Sequence, residues 1–203
     1  QGLVQPVLRA GLGNVGGGPS GLGSPTTVAA GTIDVGAGAT LRYVGSGHST
    51  DRVVNLTNAG TLDASGSGLI TFTSATGVTG DYDLTLTGTG TGTVNGLITA
   101  TNGKVTKDGS GTWTLAGASV HNGDITVNAG TLVMANAAVD INSGLITVKS
   151  LACLDVQALT GGLALGSGQT LTGGGTVLGI IVVGSGATMS PGNSPGTLTT
   201  GAE

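Results

Sequence analysis

Asp81 and Asp83 stand two residues apart, the spacing that puts two carboxylates on one face of an extended strand. A glycosidase needs such a pair across a cleft, one member with a raised pKa. Two isolated aspartates at a chain corner are the plainer reading, and no other close pair exists. His48 precedes Asp51 by three residues, with Ser49 beside it, and His121 precedes Asp124 by three. A nucleophilic triad requires Ser, His and Asp to converge beside an oxyanion hole. The same spacing is that of Asx turns, in which the aspartate bonds neighbouring amides, and the turn reading is preferred. Two histidines without a cysteine pair are too few ligands for a zinc site, so neither metal nor cofactor is expected.

Three further features carry chemistry. The run Thr85 to Thr93 repeats threonine at every second position, which places the hydroxyls along one strand face. Regular threonine arrays suit ice binding, but threonine is also the favoured solvent-facing strand residue. Asn55-Leu56-Thr57 is a glycosylation acceptor sequence. Cys153 is the single cysteine, so no internal disulfide forms.

The elements that must position these residues are strands. Gly occurs 42 times in 203 residues, charged residues make 8% and aromatics 2%, and the one glutamate is Glu203. No glycine-free window is long enough for a helical bundle. The aliphatic residues alternate with threonine in short runs, which excludes disorder despite the glycine content. Net charge is −4 and the six basic residues are scattered, so no stripe exists to neutralise phosphates and nucleic acid is not a partner. No run of 18 apolar residues spans a bilayer.

All five prolines lie near the termini, at 6, 19, 25, 191 and 195. Proline cannot donate to a sheet ladder, so residues 26–203 are expected to form the sheet body and 1–25 a Gly/Pro-rich arm or linker. Within the body the sequence echoes itself. Gly31-Thr32-Ile33-Asp34 matches Gly60-Thr61-Leu62-Asp63, with Gly130-Thr131-Leu132 and Gly175-Thr176-Val177 behind them. Ala39-Thr40-Leu41, Ala152-Cys153-Leu154 and Ala187-Thr188-Met189 form a second set, and Gly-Leu-Ile-Thr recurs at 68, 96 and 144. Identical strands repeated many times fit coils stacked on coils rather than a sandwich. The expected fold is all-β, a parallel β-helix of about eight coils at roughly 20 residues each. Leu41, Leu62, Leu115, Leu132, Leu154 and Met189 should point inward, which turns Cys153 outward.

Two stretches resemble known repeats. Lys104 to Leu132 resembles the autotransporter-associated β-strand repeat through Val105, Lys107, Gly109, Gly111, Trp113, Leu115, Gly117, Gly123, Val127, Asn128, Gly130, Thr131 and Leu132. His121 departs from it, standing where that family carries tyrosine or phenylalanine. Gly184 to Thr199, with its Ser190-Pro191-Gly192-Asn193-Ser194-Pro195-Gly196-Thr197-Leu198 core, resembles the passenger-associated transport repeat. The resemblance implies a right-handed parallel β-helix exposed on a bacterial surface or secreted, its signal peptide removed. Parallel β-helices include polysaccharide lyases, which cluster carboxylates near a basic residue. Asp34, Asp51 and Asp63 near Arg42 and Arg52 could imitate that cluster, but Asp34 and Asp63 occupy equivalent places in the echo and read as outward decoration.

The function expected from sequence is therefore structural and adhesive, not enzymatic: an extracellular stalk, scaffold or filament subunit. The alternatives are a glycan- or host-surface-binding adhesin module, and behind it a lyase or an ice-binding protein. Gly2 to Leu8 is a short apolar strand on a glycine tether. Such a strand can complete a neighbour's sheet edge, so Leu3, Val4, Val7 and Leu8 are candidate assembly residues for a homopolymer, with Cys153 as a fifth.

Overall fold

The computed structural model describes residues 7–8, 11–99, 102–136, 140–192 and 198–200. The first coil contains β1 (Val7–Leu8), the four-residue helix α1 (Val28–Gly31) and β2 (Ile33–Val35). Strands β3 (Thr40–Tyr43), β4 (His48–Thr50) and β5 (Val54–Leu56) make the second, and β6 (Gly60–Ala64), β7 (Ile70–Phe72) and β8 (Val78–Thr79) the third. The fourth has β9 (Leu84–Thr87), β10 (Thr91–Val94) and a bridge from Ile98 to Val78. The fifth is β11 (Val105–Lys107), β12 (Thr112–Leu115) and β13 (Val120–His121); the sixth is β14 (Ile125–Val127), β15 (Gly130–Met134) and β16 (Asp140–Ile141). The seventh is β17 (Leu145–Val148), β18 (Ala152–Asp155) and β19 (Leu163–Leu165), and the eighth β20 (Thr170–Gly173), β21 (Thr176–Leu178) and β22 (Ile181–Val183). β23 (Thr188–Pro191) and β24 (Thr199–Thr200) open a ninth.

Stacked coil on coil, these strands build a three-sided β-solenoid. One face is a nine-stranded sheet from β1 to β23, the second an eight-stranded sheet from β4 to β24. The third is interrupted into groups of two and three strands. Pairing is parallel throughout the described strands.

Parallel pairing in constant register sorts side chains into ladders. On the nine-stranded face Leu84, Val105, Ile125, Ile146 and Leu171 stack inward in one line, all buried. Outward on the same face runs Thr40, Thr61, Thr85, Thr106, Thr126, Thr147, Thr172 and Ser190. Successive members sit one strand spacing apart, about 4.8 Å. Trp113 enters the otherwise aliphatic core because Gly92 lies beneath it; a Cβ on Gly92 would stand 2.6 Å from the indole. The indole stacks on Phe72 at 6.5 Å and donates to the Thr87 carbonyl at 2.8 Å.

Leu41, Leu62, Leu115, Leu132 and Leu154 are buried as the alternation requires. Met189 is only partly buried, because it lies in the last coil with nothing stacked beyond it among the described residues. The echoes do not mark equivalent coil positions. Leu62 lies on the nine-stranded face, Leu132 and Val177 on the eight-stranded face and Ile33 on the third. Asp34 and Asp63 accordingly face different sides: Asp34 accepts from Asn55 Nδ2 at 2.8 Å, whereas Asp63 pairs with Arg42 at 3.2 Å. The repeated unit is one strand with its glycine corner.

Of the stretch read as an arm, residues 11–25 are built onto the second coil. Leu12 is 1% exposed and Arg52 3%. Arg52 Nε donates to the Gly13 carbonyl at 3.2 Å, Nη1 to Leu22 at 3.1 Å and Nη2 to Gly23 at 3.0 Å. Thr50 Oγ1 donates to Gly13 O at 2.7 Å, and Val15 N–H donates to Asp51 at 2.8 Å. Val7–Leu8 pairs with Arg42–Tyr43 of the same chain. This end of the stack is covered. Leu132→Ala is expected to cost about 2–5 kcal/mol through the cavity it leaves. Met189→Ala, at the half-open end, should cost clearly less; urea midpoints of the two variants check the order.

Candidate adhesive and assembly surfaces

Asp81, Asp83 and Asp51, three of the aspartates that could have done chemistry, are tied into the coil architecture. Asp81 accepts from the Asn102 backbone N–H and from its Nδ2, each at 2.7 Å, and these bonds hold its carboxyl below the usual range. Asp83 accepts from Lys104 N–H at 2.9 Å. Both tie one coil to the next rather than facing each other across a cleft. Asp51 is engaged by Val15, and Ser49 alternates to the face opposite Thr50, in register with Thr71. Arg52 is committed to carbonyls of the end-covering segment; Asn55 is bonded to both Asp34 and Thr79.

The Thr85–Thr93 run does not lie along one face. Thr85 and Thr87 belong to β9, Thr91 and Thr93 to β10, and the chain turns a corner between them at Gly88–Gly90. Rows of hydroxyls exist, but they are assembled from different coils. Among the described residues no group of three or more His, Cys, Asp or Glu is placed to hold a metal ion. No helix is long and apolar enough to cross a membrane.

Two buried polar side chains have surroundings that the sequence pattern did not define. Lys107 is fully buried in a ladder position between Leu86 and Val127. Its Nζ donates to the carbonyls of Asp108 at 2.7 Å, Gly109 at 2.8 Å and Ala129 at 3.1 Å. Burial lowers its pKa to about 8, with Asp108 pulling it back up, so the ammonium stays charged at neutral pH and holds two successive corners. The signal in the sequence was a lysine at an inward position of an alternating strand. His121 is likewise inward and buried, and neither ring nitrogen has a hydrogen-bond partner among the described residues. Burial pushes its pKa down to about 4.

Cys153 stands in the outward threonine column of the eight-stranded face, between Thr131 and Thr176, and is half-buried. Burial, and then the charge of Asp155, raise its thiol pKa. Val7 and Leu8 form the outermost strand of the nine-stranded sheet. Leu3 and Val4 lie outside the described residues.

The fifth and sixth coils carry a family signature: the passenger-associated-transport-repeat family matches residues 105–134. That is the segment whose motif resembled the autotransporter-associated β-strand repeat; the match does not fall on Gly184 to Thr199, where the transport-repeat motif was read. Three-sided parallel coils and this repeat define an autotransporter passenger-type β-helix, and the chain is of that type. Among curated proteins it is similar to "Adhesin BmaC autotransporter" of Brucella suis biovar 1 (strain 1330), 35% identical over 165 residues, which is 77% of this chain. The chain spans 5% of that relative's length. No solved structure matches it.

The buried histidine sets an acid limit. Above the ordinary pKa of 6.5, His121 is neutral folded and unfolded. Between 6.5 and about 4 the unfolded chain takes up a proton that the folded chain refuses, so stability falls as pH drops and levels off below 4. The loss totals about 3 kcal/mol. His121→Phe should remove this part of the acid sensitivity, read as the difference between wild-type and variant urea midpoints at pH 7 and pH 4.5. Cys153 should label under native conditions, more slowly than in urea and faster as pH rises. Complete native protection from a small thiol reagent in a monomer contradicts the outward placement.

Proposed function

We propose that the chain is an extracellular structural and adhesive segment of a bacterial surface protein, a stalk or scaffold that carries contacts away from the cell. The observation that supports this most is the likeness to an autotransporter adhesin over 77% of the chain. The architecture suits the task. Each coil adds one strand spacing, about 4.8 Å, so an uninterrupted stack is a rod whose length grows in proportion to its sequence. Its outward residues are predominantly threonine, a surface that is polar and has little charge.

Beads coated with the purified chain should be retained on cultured host cells and released by excess soluble chain. Retention no better than albumin-coated beads rejects the adhesive reading and leaves the stalk.

A second proposal is self-association. β1 is the last strand at one edge of the nine-stranded sheet, and β23 is the last at the other. Copies stacked end to end would run the parallel sheet on from Thr188–Pro191 to a neighbour's Val7–Leu8, with Leu3 and Val4 as further candidate contacts. Deleting residues 1–10 leaves the Arg52 contacts in place. Sedimentation should show assembly in the intact chain and its loss in the truncated one; equal behaviour of the two removes the arm from assembly.

A further inference from the structure

The corner where the nine-stranded face turns into the eight-stranded face is tightly closed along the lower coils and opens near the top. The opening has a simple cause. In the seventh coil the turn Lys149-Ser150-Leu151 projects outward, closed by the Ala152 N–H to Lys149 carbonyl bond at 2.9 Å. In the eighth the turn is Gly173-Gly174-Gly175, without side chains. Two of these glycines are demanded by packing, since a Cβ on Gly173 would lie 1.9 Å from the Val148 carbonyl and one on Gly175 2.4 Å from that of Lys149. Ser190 and Gly192 in the ninth coil form the far wall. The result is a trough of about 570 Å³, lined by Asn128, Lys149, Ser150, Thr172, Gly174 and Ser190 among others.

Part of its chemistry is unused by the fold. Thr172 Oγ1 donates to the Ser190 carbonyl at 2.8 Å, and the Asn128 amide is fixed on Asp108. The Lys149 ammonium and the Ser150 and Ser190 hydroxyls have no partner among the described residues. Lys149 is the only charged side chain of the lining, on a chain whose net charge is −4. The trough crosses the corners of the sixth to ninth coils, three inter-coil steps or roughly 14 Å, too long for a single inorganic anion.

Next to Ser150 stands Leu151, which is 100% exposed and has φ +67. A non-glycine residue in that conformation carries a steric cost that glycine avoids. Neither burial nor backbone geometry accounts for a leucine here. An exposed apolar side chain one residue from a hydroxyl-bearing lining matches a ligand with hydroxyls on its edges and C–H groups on its faces.

We propose that this trough binds a short acidic saccharide, a carboxylate-bearing oligosaccharide whose carboxylate meets Lys149, whose hydroxyls meet Ser150, Ser190 and the glycine backbone, and whose C–H face rests on Leu151. The inference rests on the adhesive reading above and gives it a ligand class and a site.

The test is titration calorimetry of the intact chain with trigalacturonate, with 3′-sialyllactose as a second acidic source, and with lactose and inorganic sulfate as controls. Binding of at least one acidic saccharide, above both controls, is expected. Lys149→Glu should weaken it at least about fivefold, the scale of one exposed charge pair, and more than Lys104→Glu, which makes the same change elsewhere on the surface. Leu151→Gly should leave the melting temperature unchanged or higher while weakening binding. Several results overturn the proposal: no acidic saccharide binding, sulfate or lactose binding equally well, equal effects of the two lysine variants, or undiminished binding by Leu151→Gly. Bead retention on cells that persists through such a failure would leave the adhesive reading standing and remove only this site.

Discussion

Every coil of this protein must complete its turns inside a layer no thicker than one strand spacing, about 4.8 Å. Strands meet that limit without effort; corners do not. Where the nine-stranded face bends toward the eight-stranded one, Gly88, Gly109 and Gly130 belong to successive layers. A Cβ on Gly109 would stand 2.4 Å from the Gly88 carbonyl, and one on Gly130 2.3 Å from that of Gly111. Both residues also sit at positive φ, near +70 and +64. Backbone rests directly on backbone at these corners, and the registers of the long sheets depend on it. Lys107 answers a consequence of the same crowding, because carbonyls turned inward at a corner need donors.

Much of this was legible in the sequence, and the physical reason is periodicity. Alternation of threonine with aliphatic residues fixes which side of a strand is buried without any knowledge of its neighbours, so Leu62, Leu115, Leu132 and Leu154 could be placed inward from local pattern alone. Which face a strand joins is a different kind of information. It depends on the number of residues in each corner, which is two between β14 and β15, four between β11 and β12 and five between β6 and β7. Similar strands therefore landed on different sides, and the threonine run at 85–93 was bent around a corner that its own glycines create.

The functional features were less legible because they are made between coils. Asp81 and Asp83 look like a pair along the chain, yet each bonds to a residue about one coil onward, Asn102 and Lys104. The opening beside Lys149 exists only because three layers have corners of unequal bulk, and no stretch of sequence contains all of them. Arg52 gave no sign of its role either. Its partners at Gly13, Leu22 and Gly23 are carbonyls, which leave no trace in composition.

The covered end built on Arg52 has an opposite number. At the far end Ile181, Ala187, Met189 and Leu198 are only partly buried, and Ile180, Val182 and Val183 are about half exposed. In a structure whose layers touch only their immediate neighbours, cohesion passes from each layer to the next. Among the described layers, those beside Arg52 are tied by guanidinium bonds in addition to strand pairing, so separating them takes more than unpairing one strand.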